Sequence, residues 1–141
     1  MAKNVFDVVY IDDDPMMADL FNQFISWKYQ HWHAYAFTDP VLVHKQVTAG
    51  ELDTRVWIID LMMPQTNGVD LAAAVRAQYG QDAVIVGYTA LETHVLEMDP
   101  EYSQGLDLFS HLIRKNEGIA RVLELADAEV RKARPMALNN H

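Results

Sequence analysis

The chain's 141 residues suit one domain of ordinary size, and with half of them hydrophobic and 22% charged the composition is that of a water-soluble globular protein. The absence of cysteine excludes disulfides and thiolate metal sites, while 20 acidic against 11 basic residues give a formal net charge of −9 that opposes binding to nucleic-acid phosphates or anionic membranes. No apolar run approaches the roughly 18 residues of a membrane span, and Met1–Asp7 lacks a signal-peptide core. A cytoplasmic protein that neither inserts into membranes nor binds nucleic acid is expected.

Val5 to Ile11 is a short, mostly apolar run, as in a strand covered on both faces. It stops at Asp12-Asp13-Asp14-Pro15, where Asp14 can cap a helix and Pro15 suits its first position, lacking an N–H that would be unpaired there. The following helix carries a one-sided stripe of Met17, Leu20, Phe21, Phe24 and Ile25. A second strand is predicted at His33–Phe37, and Asp39-Pro40 opens a helix through about Thr48. Val56–Ile59 reads as a buried strand ending at Asp60, and an alanine-rich helix follows over about Gly68–Tyr79. Ala83–Tyr88 is a fourth strand, ending at Thr89. A helix is expected over Leu91–Ser103, broken near Asp99-Pro100, then a fifth strand within Leu106–Ile113 and a last helix over about Glu117–Ala133. The division is thus one domain, 1–133, and a frayed tail, 134–141.

Five strands alternating with helices predict an α/β fold, a doubly wound five-stranded parallel sheet with helices on both faces. In such folds chemistry gathers at the carboxyl ends of the strands, beside the crevice where strand order reverses. Here those ends carry Asp12 and Asp13, Asp60, and Thr89. Clustered carboxylates repel, and a hard divalent cation relieves the repulsion; an all-oxygen set of this kind suits Mg²⁺. One carboxylate can then act as a nucleophile toward phosphorus, with a hydroxyl and an ammonium holding the phosphoryl oxygens.

Asp12-Asp13 after the first strand, Asp60-Leu61-Met62-Met63-Pro64 with Gly68 after the third, and Thr89-Ala90 after the fourth resemble the signature of response-regulator receiver domains. The resemblance runs from about Val5 to Ala133 and implies the flavodoxin-like (βα)5 fold. It implies Asp60 as phosphoacceptor, with Asp13, Asp60 and the backbone carbonyl of Met62 binding Mg²⁺ directly and Asp12 helping through water. Thr89 would hydrogen-bond the phosphoryl group, and Pro64 and Gly68 would shape the loop into the third helix. A histidine kinase or histidine phosphotransfer protein would donate the phosphoryl group. Output would pass to a downstream protein target through the face formed by 91–103, 106–113 and 117–133, which could also support a homodimer. Such a switch modifies itself and turns over no separate substrate, so it is not expected to be an enzyme.

The family usually ends its fifth strand in Lys-Pro, and this chain has no such pair. Alignment on Gly105-Leu106-Asp107 puts Leu112 at the lysine position; alignment on Leu112-Ile113 puts Lys115 there, with a longer preceding loop that costs little. Lys115 is the favoured cation, with His111 and Arg114 as fallbacks. The family's switch aromatic is equally open: the Lys115 register puts Leu112, not an aromatic, at its position, the glycine register puts Phe109 there, and Tyr88 is another candidate. Two positions that flank the attacking water in relatives are Met62 and Leu91, both apolar, which implies slow self-dephosphorylation.

Two other functions fit parts of the pattern. A receiver-like adaptor or dimerisation module without phosphorylation is motivated by the missing Lys-Pro pair. A haloacid-dehalogenase-like phosphatase would use Asp12-Asp13-Asp14 as its Asp-x-Asp but leaves Asp60 without a role. His31 and His33 are too few ligands for a metal site. Trp27, Trp32 and Trp57, and the pairs Met16-Met17 and Met62-Met63, are expected to pack in the core.

Overall fold

Alternating apolar runs and capped helices produce the predicted parallel sheet, in the order β2-β1-β3-β4-β5. The computed structural model describes residues 3–139, with side chains through residue 132. The strands are β1 (Asn4–Ile11), β2 (Ala34–Phe37), β3 (Leu52–Asp60), β4 (Val84–Thr89) and β5 (His111–Arg114). The helices are α1 (Pro15–Lys28), α2 (Pro40–Thr48), α3 (Gly68–Tyr79), α4 (Thr93–Met98), α5 (Pro100–Ser103) and α6 (Ile119–Asn139). The backbone of α6 therefore continues into 134–139, the stretch assigned to a tail from sequence; 140 and 141 lie outside the described residues.

The two-residue period of the strands divides the core into two layers. Val8, Tyr10, Val56, Ile58, Val86 and Tyr88 face α1 and α6, where they meet Phe21, Val122, Leu123 and Ala126. Val9, Ile11, Trp57, Ile59 and Ile85 face the other way, onto Val43 and Val47 of α2 and Leu71, Ala72 and Val75 of α3. Strand order reverses between β1 and β3, whose registers align Ile11 with Ile59. The residues that follow each strand therefore reach one rim.

Three helices begin at an Asp-Pro pair. The carboxylates of Asp14, Asp39 and Asp99 accept backbone N–H groups of Met16, Leu42 and Glu101, while Pro15, Pro40 and Pro100 occupy the first turn. Asp99-Pro100 is thus both the predicted break and a new start: Asp99 ends α4 in an extended conformation and caps α5.

The fifth strand occupies only the end of its predicted range and runs one residue beyond it, to Arg114. Leu106–Leu108 form a 3-10 turn and pairing begins only at His111. The cause is local. The Arg76 guanidinium donates to the Leu108 carbonyl at 3.0 and 2.8 Å, and also to the carbonyls of Gly80, Gln81 and Ala83, drawing this segment onto α3. Gly105 lies so close to Val69 that a Cβ would sit 2.1 Å from its Cγ1.

Some packing expectations fail. Trp57 and Trp32 are buried, but Trp27 is 72% exposed, because six positions beyond the buried Phe21 the helix has turned its side chain off the packed face. Each methionine pair splits: Met16 and Met62 are exposed, whereas Met63 is buried and Met17 partly so. His33 stacks on Phe6 with ring centroids 4.5 Å apart. Among the described residues no helix is long and apolar enough to cross a membrane.

Gly68 opens α3 directly beneath the end of β3. Its N–H donates to the Leu61 carbonyl at 2.9 Å, and a Cβ would lie 2.5 Å from the Asp60 carbonyl oxygen and 2.7 Å from Leu61 Cα. Those atoms are backbone and cannot turn aside. Gly68→Ala is expected to lower stability by about 1–3 kcal/mol, the usual cost of forced overpacking; an unchanged urea midpoint would contradict this.

Candidate functional site

Three strand ends and the turn after β5 build one acidic pocket. Asp12 and Asp13 follow β1, Asp60 and Thr89 close β3 and β4, and Lys115 follows β5. Asp12, Asp60 and Thr89 are buried and Asp13 half-buried. One carboxylate oxygen from each of Asp12, Asp13 and Asp60 lies within 4.8 Å of the others. Lys115 Nζ is 3.1 Å from Asp12 Oδ2 and 3.5 Å from Asp60 Oδ1.

Of the three cations considered for this position, Lys115 reaches the cluster. His111 Nε2 lies 4.0 Å from Glu129 on α6, and Arg114 Nη2 lies 3.4 Å from Glu92. Strand parity turns Arg114 to the opposite side from His111, which stands at the start of β5, whereas Lys115 follows its end and enters a 3-10 turn. Asp14 caps α1 through Met16 N–H at 3.0 Å, outside the cluster. The Met62 N–H donates to Asp60 Oδ1 at 3.3 Å. Thr89 Oγ1 accepts the Leu91 N–H at 3.0 Å, which leaves the hydroxyl proton available to another acceptor. Of the switch-aromatic candidates, Tyr88 is buried in the α1/α6 layer with Lys115 Nζ 5.7 Å from its ring centroid and Phe109 is buried on the α3 side; Leu112, which the Lys115 register puts in place of an aromatic, is half-buried.

One participant was not recognised from sequence. Tyr10, read there as part of an apolar strand, donates its hydroxyl to Asp12 Oδ2 at 2.7 Å. The available signal was its spacing: positions 10 and 12 share a face of β1, and a buried tyrosine hydroxyl needs a partner.

The charges do not balance. Three carboxylates face one ammonium. Burial first, and then the neighbouring Asp12, push the Asp60 carboxyl up to about 7, against the opposing pull of Lys115 and the Met62 N–H. For Lys115, burial favours the neutral amine, but Asp60 and Asp12 together outweigh it and hold its pKa above the usual lysine range. Burial and then Asp12 likewise raise the Tyr10 phenol, keeping it a donor. An oxygen-only donor set with uncompensated negative charge fits a hard cation of the Mg²⁺ kind, bound by few carboxylates plus water.

Comparison with known proteins places the chain in a family. The family described as Response regulator receiver domain matches residues 8–99, well over half of the chain. The chain belongs to this receiver-domain family. The family is a signalling switch of two-component systems rather than a conventional enzyme. The matched stretch carries Asp12, Asp13, Asp60 and Thr89, whereas Lys115 lies beyond it. No curated protein matches the chain. Among solved structures, the receiver domain of a Francisella response regulator is 18% identical with a TM-score of 0.71, covering 90% of this chain and 98% of that one. The Thermotoga maritima response regulator TrrA, in complex with Mg²⁺-BeF, is 18% identical with a TM-score of 0.66, over 92% and 99%. The receiver domain of a Pseudomonas aeruginosa sensor histidine kinase, with a magnesium ion in its active-site cleft, is 15% identical with a TM-score of 0.65, over 90% and 98%. These likenesses speak to the fold.

The raised Asp60 pKa has a thermodynamic consequence. An unfolded aspartate loses its proton near 3.9, so between about pH 4 and 7 the folded protein holds a proton that the unfolded chain has released. Stability of the metal-free protein from this group therefore falls as pH rises through that window and stays lower above it. Asp60→Asn removes the penalty. In EDTA at pH 8 the variant is expected to be more stable than wild type by on the order of a few kcal/mol, with the gap closing toward pH 4. Thermal melts that show the reverse order would contradict this electrostatic account.

Proposed function

We propose that the protein is a phosphorylation switch of a two-component relay that accepts a phosphoryl group on Asp60 with Mg²⁺ and signals through protein–protein contacts. The observation that carries this reading is the convergence of Asp12, Asp13 and Asp60 with Lys115 on one rim of a receiver-family chain. Asp12, Asp13 and Asp60, with the carbonyl of Met62, would hold Mg²⁺, and magnesium in the Thermotoga and Pseudomonas neighbours supports that choice. When bound, the ion offsets the excess negative charge and lets a phosphoryl group approach.

In the reaction, an Asp60 carboxylate oxygen attacks phosphorus. The new bond is O–P, and the bond that breaks joins phosphorus to the donor histidine nitrogen, which leaves with the bonding pair. Lys115 lies close enough to Asp60 Oδ1 to pair with a phosphoryl oxygen attached there. Thr89, whose oxygen accepts from Leu91, has its own proton to donate to another. Such preorganised donors match charge that moves onto the phosphoryl group.

The donor is a histidine kinase or histidine phosphotransfer protein in the cytoplasm. The receiver unit is 1–133, with 134–141 an extension outside the switch. Phosphorylation adds charge that draws Thr89 and shifts the face of α4, β5 and α6, which contacts a protein target or a second copy rather than nucleic acid. Asp14 belongs to the α1 cap, which leaves the phosphatase alternative without its second catalytic carboxylate. The adaptor alternative drew on the missing Lys-Pro pair; the pair is absent, but Lys115 stands 3.1 Å from Asp12 and supports the phosphorylation reading.

Incubation with acetyl phosphate, read by intact mass, tests the proposal. Wild type is expected to gain one Mg²⁺-dependent, hydroxylamine-labile phosphate and Asp60→Asn none. Equal labelling of both proteins would overturn the acceptor; no label on either, in folded protein, would favour the adaptor. Lys115→Ala is expected to slow labelling on the order of 100-fold, as when one preorganised donor is removed. Because the two positions that flank the attacking water in relatives are the apolar Met62 and Leu91, the label is expected to persist for minutes; loss within seconds would contradict that role.

A further inference from the structure

Asp12 is held from more sides than charge balance requires. Its Oδ2 receives both the Tyr10 hydroxyl at 2.7 Å and Lys115 Nζ at 3.1 Å, while its Oδ1 receives the Asp14 N–H at 3.0 Å. A carboxylate offers about four lone-pair sites, and these three donors leave one on Oδ1, with the Asp60 carboxyl also bearing on Asp12. The two donors on Oδ2 differ in kind. Lys115 is a flexible, partly exposed cation shared with Asp60. Tyr10 is buried, its ring stacked on Phe21 at 5.2 Å and 10° and set edgewise against Tyr88 at 6.4 Å and 61°. It cannot follow Asp12 if the carboxylate turns.

We propose that Tyr10 is a positioning residue for cation binding, locking Asp12 through Oδ2 so that Oδ1 remains the oxygen open to the ion shared with Asp13 and Asp60. This rests on the cation-binding part of the function proposed above. Without the hydroxyl, Lys115 is the one remaining donor to Oδ2, and as a phosphoryl group draws the ammonium toward Asp60 the carboxylate loses its fixed orientation. Loss of an outer hydrogen bond of this type costs ~10–100-fold in metal affinity.

The test is a mutant cycle of Tyr10→Phe, Asp12→Ala and the double variant, with Mg²⁺ half-saturation read from the metal-dependent rise in melting temperature. Tyr10→Phe keeps the ring and its stacking. Tyr10→Phe is expected to raise the half-saturating Mg²⁺ concentration about 10-fold alone and to add nothing in the Asp12→Ala background. A purely structural tyrosine would lower the metal-free melting temperature in both backgrounds and leave half-saturation unchanged. That result, an equal shift in both backgrounds, or a wild type with no response to Mg²⁺ would each overturn the inference. Acetyl phosphate labelling of wild type runs alongside. Failure to label with the Mg²⁺ cycle as expected would strike the phosphorylation reading and leave the role of Tyr10 standing.

Discussion

The rest of the molecule is arranged around a repulsion. Three carboxylates held within 4.8 Å, two of them buried, do not stay together unless something compels them. The compulsion is the parallel sheet. Hydrogen bonding aligns the ends of β1 and β3 residue by residue, and aliphatic layers on both faces make any slip of register costly, because a one-residue shift would turn the core side chains to the wrong layer. The sheet supplies the rigidity and the carboxylates supply the stored unfavourable charge. Lys115 relieves part of that charge, and the remainder is what makes the pocket a receptor for a cation.

How much of this could be read from sequence follows from how local each determinant is. Asp14-Pro15 and Asp39-Pro40 announce helices through chemistry confined to a few neighbouring residues, and both helices begin where those pairs stand. The buried strands are equally legible, since an apolar run bounded by acids has few other uses in a chain of this length. Asp12, Asp13, Asp60 and Thr89 could be brought together on paper because each closes such a run. Reading was least exact where the determinant is distant. The position of β5 depends on Arg76, a residue of α3 some thirty positions earlier whose guanidinium binds carbonyls of the intervening loop. Periodicity cannot show such a contact. Trp27 was misjudged for a related reason: composition favours burial of tryptophan, but the angular position on α1 decides it.

Tyr10 falls between these cases. Its spacing from Asp12 is local and visible, yet its meaning depends on Phe21 and Tyr88, which arrive from α1 and β4 to fix the ring. A hydroxyl in the buried part of a strand is an inconsistency that a fold tolerates only with a partner, and here the partner is a buried carboxylate of the site. A core position and a site position are thus joined by one hydrogen bond. The layer that packs α1 against the sheet is mechanically continuous with the acidic pocket.

The Asp99-Pro100 start divides the connection between β4 and β5 into helices of six and four residues. Neither approaches the dozen or so residues at which a helix begins to hold itself together in water. Their shape is borrowed from two anchors, Leu96 and Tyr102, which are buried in the α3-side core while the residues between and around them are largely exposed. Release of either anchor would free its segment without breaking a strand pairing. The cost of remodelling this surface is therefore that of moving one side chain rather than melting a long helix, and the chain places this inexpensive element immediately after Thr89.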